Sequence, residues 1–374
     1  MNDSRRFGSL FMVAGALASS VLGCVAQSDT GEVIAEAAQP ITQAVAPMAT
    51  ARFAHAAVSL SNGTVLLASG YNGAGFVGTA ERWTPGSGTW SAAGTLTEPR
   101  HNPNAMALPG ARAIVIGGLS ATAFLASTEI YAAATNTWSA GAPMSTARYE
   151  STSSFTRGGR ILVAGGFNTG SGYLASAEVY NASTNGWSPA GAMATPRWVH
   201  AAVSLFPSGR VLVMGGENAS GFVASAEIYD PHTNAWSSAG SMSTARRGHR
   251  AMVLANGKVL VVGGQNDTGS LASAELYNPA TNTWTPTGSM STPRYFASLN
   301  RIKGKIVVLG GETNTDYTAT AEIYDPSTKT WSPGSPMLTP RYFHTATETP
   351  DGRALVAGGW DGSAVLTEAE LYAP

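Results

Sequence analysis

Short apolar runs, each closing on a pair of small residues, return along the chain at a nearly fixed spacing. They are Val65–Gly70, Ala113–Gly118, Ile161–Gly166, Val211–Gly216, Val259–Gly264, Ile306–Gly311 and Ala354–Gly359, the first with Ser69 where the others have glycine. Successive copies stand 47–50 residues apart. Consecutive apolar positions suit a strand buried on both faces. In the fourth copy, His200–Leu205 predicts a strand before the run and Ser225–Asp230 an alternating strand after it. Asp230-Pro231 then marks a turn into a short strand around Trp236. Helical periodicity does not survive the Gly and Pro punctuation. Each unit therefore reads as four short strands, a to d.

Three further landmarks keep step with the runs. Arginine recurs as Arg52, Arg100, Arg148, Arg197, Arg246, Arg294 and Arg341. Glu-x-Tyr recurs at Glu129, Glu178, Glu227, Glu275, Glu322 and Glu370, with Glu81-Arg82-Trp83 as the first copy. Tryptophan recurs as Trp90, Trp138, Trp187, Trp236, Trp284 and Trp331. Seven such units fill residues 42–374 and leave no room for another domain.

Gly-Gly, then Tyr, then Trp at this period resembles the Kelch repeat, over nearly all of residues 40–374. The resemblance implies an all-β, seven-bladed Kelch-type β-propeller, with twisted blades packed face to face about an axis. It says little about function, because Kelch propellers host both enzymes and binding modules. The last unit reaches its third strand, Glu368–Tyr372, and the sequence stops at Pro374. Each Trp lies ten residues before the next repeat Arg, and ten before Arg52 is Thr42. Pro40–Ala44 is thus expected to close the last blade as its outer strand.

Glu227 and Tyr229 are two residues apart in a strand and share a face. Tyr229 should meet a neighbouring blade, so Glu227 is at least partly buried and needs a partner. The repeat arginines match the glutamates seven to seven. One structural Arg–Glu pair per blade is expected; the rival reading is a ring of free arginines that captures an anion.

Charged residues make up 12% of the chain, net charge is −1, and the only lysines are Lys258, Lys303, Lys305 and Lys329. That balance suggests no lysine-rich patch and no basic face for nucleic acid. At the N-terminus, Arg5 and Arg6 precede an apolar stretch, Phe7 to Leu22, too short to span a bilayer comfortably. Val21-Leu22-Gly23-Cys24 resembles a bacterial lipobox, although Leu22 is bulkier than the usual residue there. The resemblance implies a lipoprotein signal peptide over 1–23, lipidation at Cys24 and a flexible tether through residue 39. An ordinary secretory signal cut nearby is the alternative. The expectation is an exported lipoprotein of a bacterial cell envelope, with its domain outside the cytoplasm. Cys24 is the only cysteine, so the domain has no disulfide.

No nucleotide loop, zinc pattern or nucleophile elbow occurs, and neither a cofactor nor a metal is expected. His55, His200, His249 and His344 each follow a repeat Arg by three residues. They read as channel-lining groups bonded to backbone or water, with metal binding as the alternative. His101 and His232 fall out of that register and read as loop residues. The seven blades are similar to galactose oxidase, whose copper chemistry needs a cysteine cross-linked to tyrosine; with only Cys24 present, that chemistry is ruled out. Kelch sugar mutarotases have six blades.

In Kelch propellers the b–c and d–a loops share one face. The residues after the glycine pairs are Tyr71, Leu119, Phe167, Glu217, Gln265, Glu312 and Trp360. Those after the repeat arginines are Phe53, His101, Tyr149, Trp198, Arg247, Tyr295 and Tyr342. Tyr71, Tyr149, Phe167, Trp198, Glu217, Tyr295, Glu312, Tyr342, Trp360 and Asp361 are the candidate ligand-binding set. Exposed aromatics with carboxylates suit a sugar or a peptide; alternatively, several pack beside the next loop. Two functions follow: a monomeric binding module recognising a protein or glycan, or a carbohydrate-active enzyme. The enzyme would place two carboxyls about 5–10 Å apart in one pocket.

Overall fold

The computed structural model describes residues 42–374. The expected signal peptide, Cys24 and the expected tether lie outside the described residues. The repeats form seven four-stranded antiparallel sheets. Blade 4 shows the pattern, with Ala201–Leu205 (a), Arg210–Met214 (b), Ser225–Asp230 (c) and Ala235–Ser241 (d). Inner strands of successive blades adjoin, and Thr345–Glu348 of blade 7 adjoins Ala56–Ser59 of blade 1, so the ring is closed. The d–a and b–c connections gather on an upper face, the a–b and c–d connections on a lower one.

Burial follows the predicted pattern. Val211, Leu212, Val213 and Met214 of strand b are fully buried. The apolar core is divided among the seams between blades: Leu212, Met214 and Ala226 of blade 4 pack with Val259, Val261 and Tyr277 of blade 5. Tyr229 lies across from Trp236 with ring centroids 5.4 Å apart. Trp236 Nε1 donates to the Ala190 carbonyl of the preceding blade at 2.8 Å, so the aromatic pair clamps one blade onto the last. At the end of strand b, Gly215 turns at φ 65°, where a Cβ would stand 2.6 Å from the Arg246 carbonyl oxygen. Only glycine fits that approach comfortably. Blade 1 has Ser69 there, and its hydroxyl bonds the Arg100 carbonyl at 2.7 Å.

The last blade is closed by an N-terminal strand. Among the described residues it spans Gln43–Val45, ending one residue beyond the expected Ala44, and pairs Gln43 with Leu371, Ala44 with Glu370 and Val45 with Ala369. Pro40 and Ile41 lie outside the described residues. Trp90 of blade 1 donates from Nε1 to the Ala46 carbonyl at 2.7 Å, repeating the inter-blade clamp.

The near-zero net charge is divided unevenly between the two faces. The lower loops and strand ends carry Arg112, Arg157, Arg160, Arg210, Lys258, Lys303, Lys305, Lys329 and Arg353, against Asp230, Asp325, Glu348 and Asp351. The upper loops carry Glu98, Glu217, Asp267, Glu312, Asp316, Asp361 and Glu368, against Arg247.

Candidate functional site

The repeat arginines are consumed by the fold. Their side chains are 0–1% exposed, and each Nη2 lies 2.8–3.3 Å from its glutamate. Arg197 Nη1 donates to the Gly215 and Ser225 carbonyls, both at 2.8 Å. Its Nη2 reaches Ser225 Oγ at 3.3 Å and Glu227 Oε1 at 2.9 Å. Glu227 also accepts from the Ala194 and Thr195 amides at 2.6 and 3.1 Å. The hydroxyl was missed in the sequence reading, yet its signal recurs two residues before the glutamate as Thr79, Ser127, Ser176, Ser225, Ser273 and Thr320. Blade 7 has Glu368 there instead. Among the described residues no hydrogen bond reaches Glu370 Oε1, although Arg341 Nη2 stands 3.2 Å away, and burial raises the carboxyl's pKa.

On the upper face each blade presents a rung of three residues. The residue after the repeat Arg bridges the residue after the glycine pair, as in Trp198 with Glu217, Tyr295 with Glu312 and Tyr342 with Trp360. The latter then pairs with the returning arm of its own loop, where Phe76, Phe124, Tyr173, Phe222, Ser270, Tyr317 and Val365 stand. That third row was missed; its signal is an aromatic six or seven residues after the last glycine in five blades.

Around the axis the first row forms a closed belt with its neighbours. Trp198, Tyr149, His101, Phe53, Phe343, Phe296 and Tyr295 follow one another with centroid separations of 3.8–6.5 Å. Arg247 continues the belt, 5.9 Å from the Tyr295 centroid and 2.5 Å from Glu217 Oε2. The belt is asymmetric. Blades 4 to 6 offer Glu217, Arg247, Gln265 and Glu312, whereas the other blades offer mostly rings.

Inside the belt, the second residue after every repeat arginine has positive φ, from 46° at Ala54 to 60° at Gly248. These residues also link blade to blade through the backbone. Ala54 donates to Phe343 O, Asn102 to Ala54 O, Val199 to Glu150 O, Gly248 to Val199 O and Phe296 to Gly248 O, at 2.7–3.2 Å. They rim a polar recess of ≈ 270 Å³ in the axial channel, lined by Asn102, Glu150, His200, His249 and Arg250 among others. Burial raises the Glu150 pKa to about 7, against the opposing pull of the Asn102 amide and the charges of Arg250 and Arg247. Asn102 Nδ2 donates to Glu150 Oε1. Arg250 Nε donates to the Ala297 carbonyl at 2.6 Å.

The four in-register histidines are buried in the seams. His55 Nε2 meets Thr345 Oγ1 at 2.9 Å, His200 Nε2 meets Thr152 Oγ1 at 2.9 Å, and His344 Nε2 meets Ser298 Oγ at 3.1 Å. Each partner opens the inner strand of the preceding blade or lies one residue from its start. Blade 4 has Ala201 and Ala202 at the matching place, and among the described residues neither His249 nitrogen has a hydrogen-bond partner. Burial lowers all four, His200 and His344 to about 3. Among the described residues, no three His, Cys, Asp or Glu side chains converge as a metal site.

Comparison with known proteins identifies the repeat. Residues 141–287 and 238–373 match the KLHDC2/KLHL20/DRC7 Kelch-repeats domain. The chain belongs to the Kelch-repeat family. No curated protein matches it. Among solved structures it is similar to a fungal alcohol oxidase of the AA5 family in complex with copper, with a TM-score of 0.70 and 21% identity, covering 90% of this chain and 76% of that one. At that identity the likeness shows the fold alone. The residues of this Kelch propeller do not fit a copper–cysteine–tyrosine centre, because the described residues contain no cysteine.

Within the Kelch frame, the candidate residues are not exposed aromatics as expected. Tyr71, Tyr149, Phe167, Trp198, Tyr295, Tyr342 and Trp360 are half-buried, each against its neighbours. Trp198, Glu217 and Tyr295 join one arc through Arg247, which spans blades 4 to 6. Tyr342 stacks on Tyr317 with centroids 4.8 Å apart. Phe167 packs between Phe124 and Trp198. Burial raises the pKa of Glu312. One oxygen of Asp361 is taken up by its own loop, accepting from the Ser363 and Ala364 amides at 2.7 Å. His101 is not a stray loop residue: it sits in the belt between Phe53 and Tyr149, and burial lowers its pKa to about 4. His232 is exposed on the lower face beside Arg157.

Proposed function

We propose that this Kelch propeller is an exported binding module that recognises a glycan through its upper face. The observation that supports this reading is the asymmetric belt. The architectural positions repeat in every blade, whereas the belt positions differ from blade to blade and converge on one ring. Sugars present apolar faces that lie on aromatic rings and hydroxyls that exchange hydrogen bonds with charged groups. Trp198, Phe222, Tyr295 and Tyr342 flank Glu217, Arg247, Gln265 and Glu312, which supplies both kinds of contact across blades 4 to 7. Large rings with a guanidinium among them are the residue types that dominate recognition surfaces. A peptide is the other ligand class this chemistry admits.

The test is a glycan array and a peptide pull-down with the secreted chain, compared with Arg247→Ala and with Tyr342→Ala/Trp360→Ala. Glycan capture that both variants lose by at least tenfold, with melting unchanged, supports the reading. Unchanged capture by both variants would move the site off the upper face.

The lipobox-like segment supports anchoring on a bacterial envelope through Cys24. Cys24→Ser should release the protein from the membrane fraction. Equal retention of the variant would remove lipidation from the proposal.

A further inference from the structure

The lower face carries an arc of cations on the loops and strand ends of blades 3, 5 and 6. Arg157 and Arg160 belong to blade 3, Lys258 to blade 5, and Lys303, Lys305 and Lys329 to blade 6. Among the described residues, none of these six is held in an ion pair; the lower-face pairs are Arg210 with Asp230 at 2.7 Å and Arg353 with Asp351 at 2.6 Å. Between them, on the a–b loop of blade 4, Phe206 is 68% exposed, a rare state for a large apolar side chain in this molecule. A cleft of ≈ 660 Å³ between blades 3 and 4 is lined by Arg157, Arg160, Asn181, Ser183 and Asn234.

The chain also joins the propeller on this side. Strand c of blade 7, Ala369–Tyr372, runs from the upper to the lower face, and Gln43–Val45 runs antiparallel to it with Gln43 opposite Leu371. The polypeptide therefore enters blade 7 at its lower end.

We propose that the lower face docks onto an anionic lipid surface. Clustered Lys and Arg side chains are drawn to acidic headgroups within about a Debye length. Their apolar stems and an aromatic ring lie at the boundary between headgroups and acyl chains. The cleft with its two arginines is of a size and polarity to take a headgroup phosphate. The acidic residues of the upper loops would then point away from the membrane, leaving the belt open to its ligand. The proposal rests on the lower face alone and holds whether or not Cys24 is lipidated or the belt binds sugar.

The experiment is co-sedimentation of the full chain with phosphatidylcholine vesicles, with and without roughly a third phosphatidylglycerol. Because the N-terminal segment is the same in every variant, differences between variants report the lower face. The expected result is at least tenfold tighter binding to the anionic vesicles, falling as salt rises. R157E/R160E/K303E/K305E should abolish that preference, and the milder R157Q/R160Q/K303Q/K305Q should weaken it if the first folds poorly. D267N/D316N on the upper face should leave it intact, and Phe206→Ala should weaken it without changing the melting temperature. Equal binding to neutral and anionic vesicles, or charge variants that retain the preference, would overturn the proposal. So would displacement of the chain from vesicles by DNA or heparin together with indifference to Phe206→Ala, an outcome that would assign the arc to a soluble polyanion.

Discussion

Arg197 donates from Nη2 to Glu227 Oε1 at 2.9 Å, and neither side chain is more than 7% exposed. Desolvation alone would make such a pair costly. It is offset by the further partners, two carbonyls and a hydroxyl for the guanidinium and two amides for the carboxylate. Removing one member strands the other. We expect Arg197→Ala to lower stability by about 3–5 kcal/mol, read from urea unfolding. Arg341→Ala should cost less, because blade 7 lacks the hydroxyl and Glu370 is already the least well satisfied of the glutamates. Equal losses at the two positions would mean that the hydroxyl contributes nothing.

Stability should depend on pH with opposite signs from two sets of groups. His200 and His344 have folded pKa values of about 3, below the usual 6.5. Their contribution is present above 6.5 and is lost as pH falls toward 3, by about 2 kcal/mol each at pH 5. Glu150 is raised from 4.5 to about 7. Its contribution is present below 4.5 and is lost as pH rises through 7, by about 3 kcal/mol in all. The histidines outnumber the glutamate, so acid destabilisation wins below their ordinary pKa. Glu150→Gln should steepen the rise of stability between about pH 5 and 6.5 by one proton. Denaturant midpoints across that range measure the slope; an unchanged slope would show that Glu150 stays ionised.

Gly248 and Tyr295 test how tightly the belt is packed. A Cβ on Gly248 would collide with Cδ2 and Cε2 of the Tyr295 ring. The positive φ is not itself the obstacle, since Ala54 and Val199 hold the matching places at φ 46° and 50°. Gly248→Ala should therefore cost only about 1 kcal/mol in the backbone, yet displace Tyr295 from Arg247 and weaken ligand capture. Full capture by this variant would exclude Tyr295 from the site.

The parts that repeat were legible because each landmark occurs up to seven times in step. Strand b, the clamp of Tyr229 and Trp236, and the partnership of Arg197 with Glu227 all follow from period and parity. The candidate site was less legible for the converse reason. Phe76, Phe124, Tyr173, Phe222 and Tyr317 conserve only aromatic character, and Ser270 and Val365 break even that. Glu150 and Arg250 meet in one recess from blades 3 and 5, and no spacing along the chain announces their meeting. The polarity of the faces was hidden because net charge sums over both: Lys303 below cancels Glu312 above.

Closure of the ring depends on a strand of three residues far from its partner in sequence. Gln43–Val45 covers the outer edge of Ala369–Tyr372, and Val45 packs against the seam that holds Trp83, Leu355 and Leu371. The same segment carries the Ala46 carbonyl that receives Trp90, and Met48, 3% exposed in that seam. Without it, strand c of blade 7 becomes an open edge with unpaired backbone groups, and such edges recruit other chains. Blades 7 and 1 would also lose the aromatic clamp that the five seams from blade 1 to blade 6 keep. Deleting residues 25–39 removes none of these contacts and should leave the melting temperature unchanged. Deleting 25–46 removes the strand and the clamp's acceptor, and should lower the melting temperature by several degrees and produce concentration-dependent aggregation in light scattering. If the two truncations melt and scatter alike, the N-terminal strand is dispensable, and closure must instead rest on the inner strands Thr345–Glu348 and Ala56–Ser59 alone.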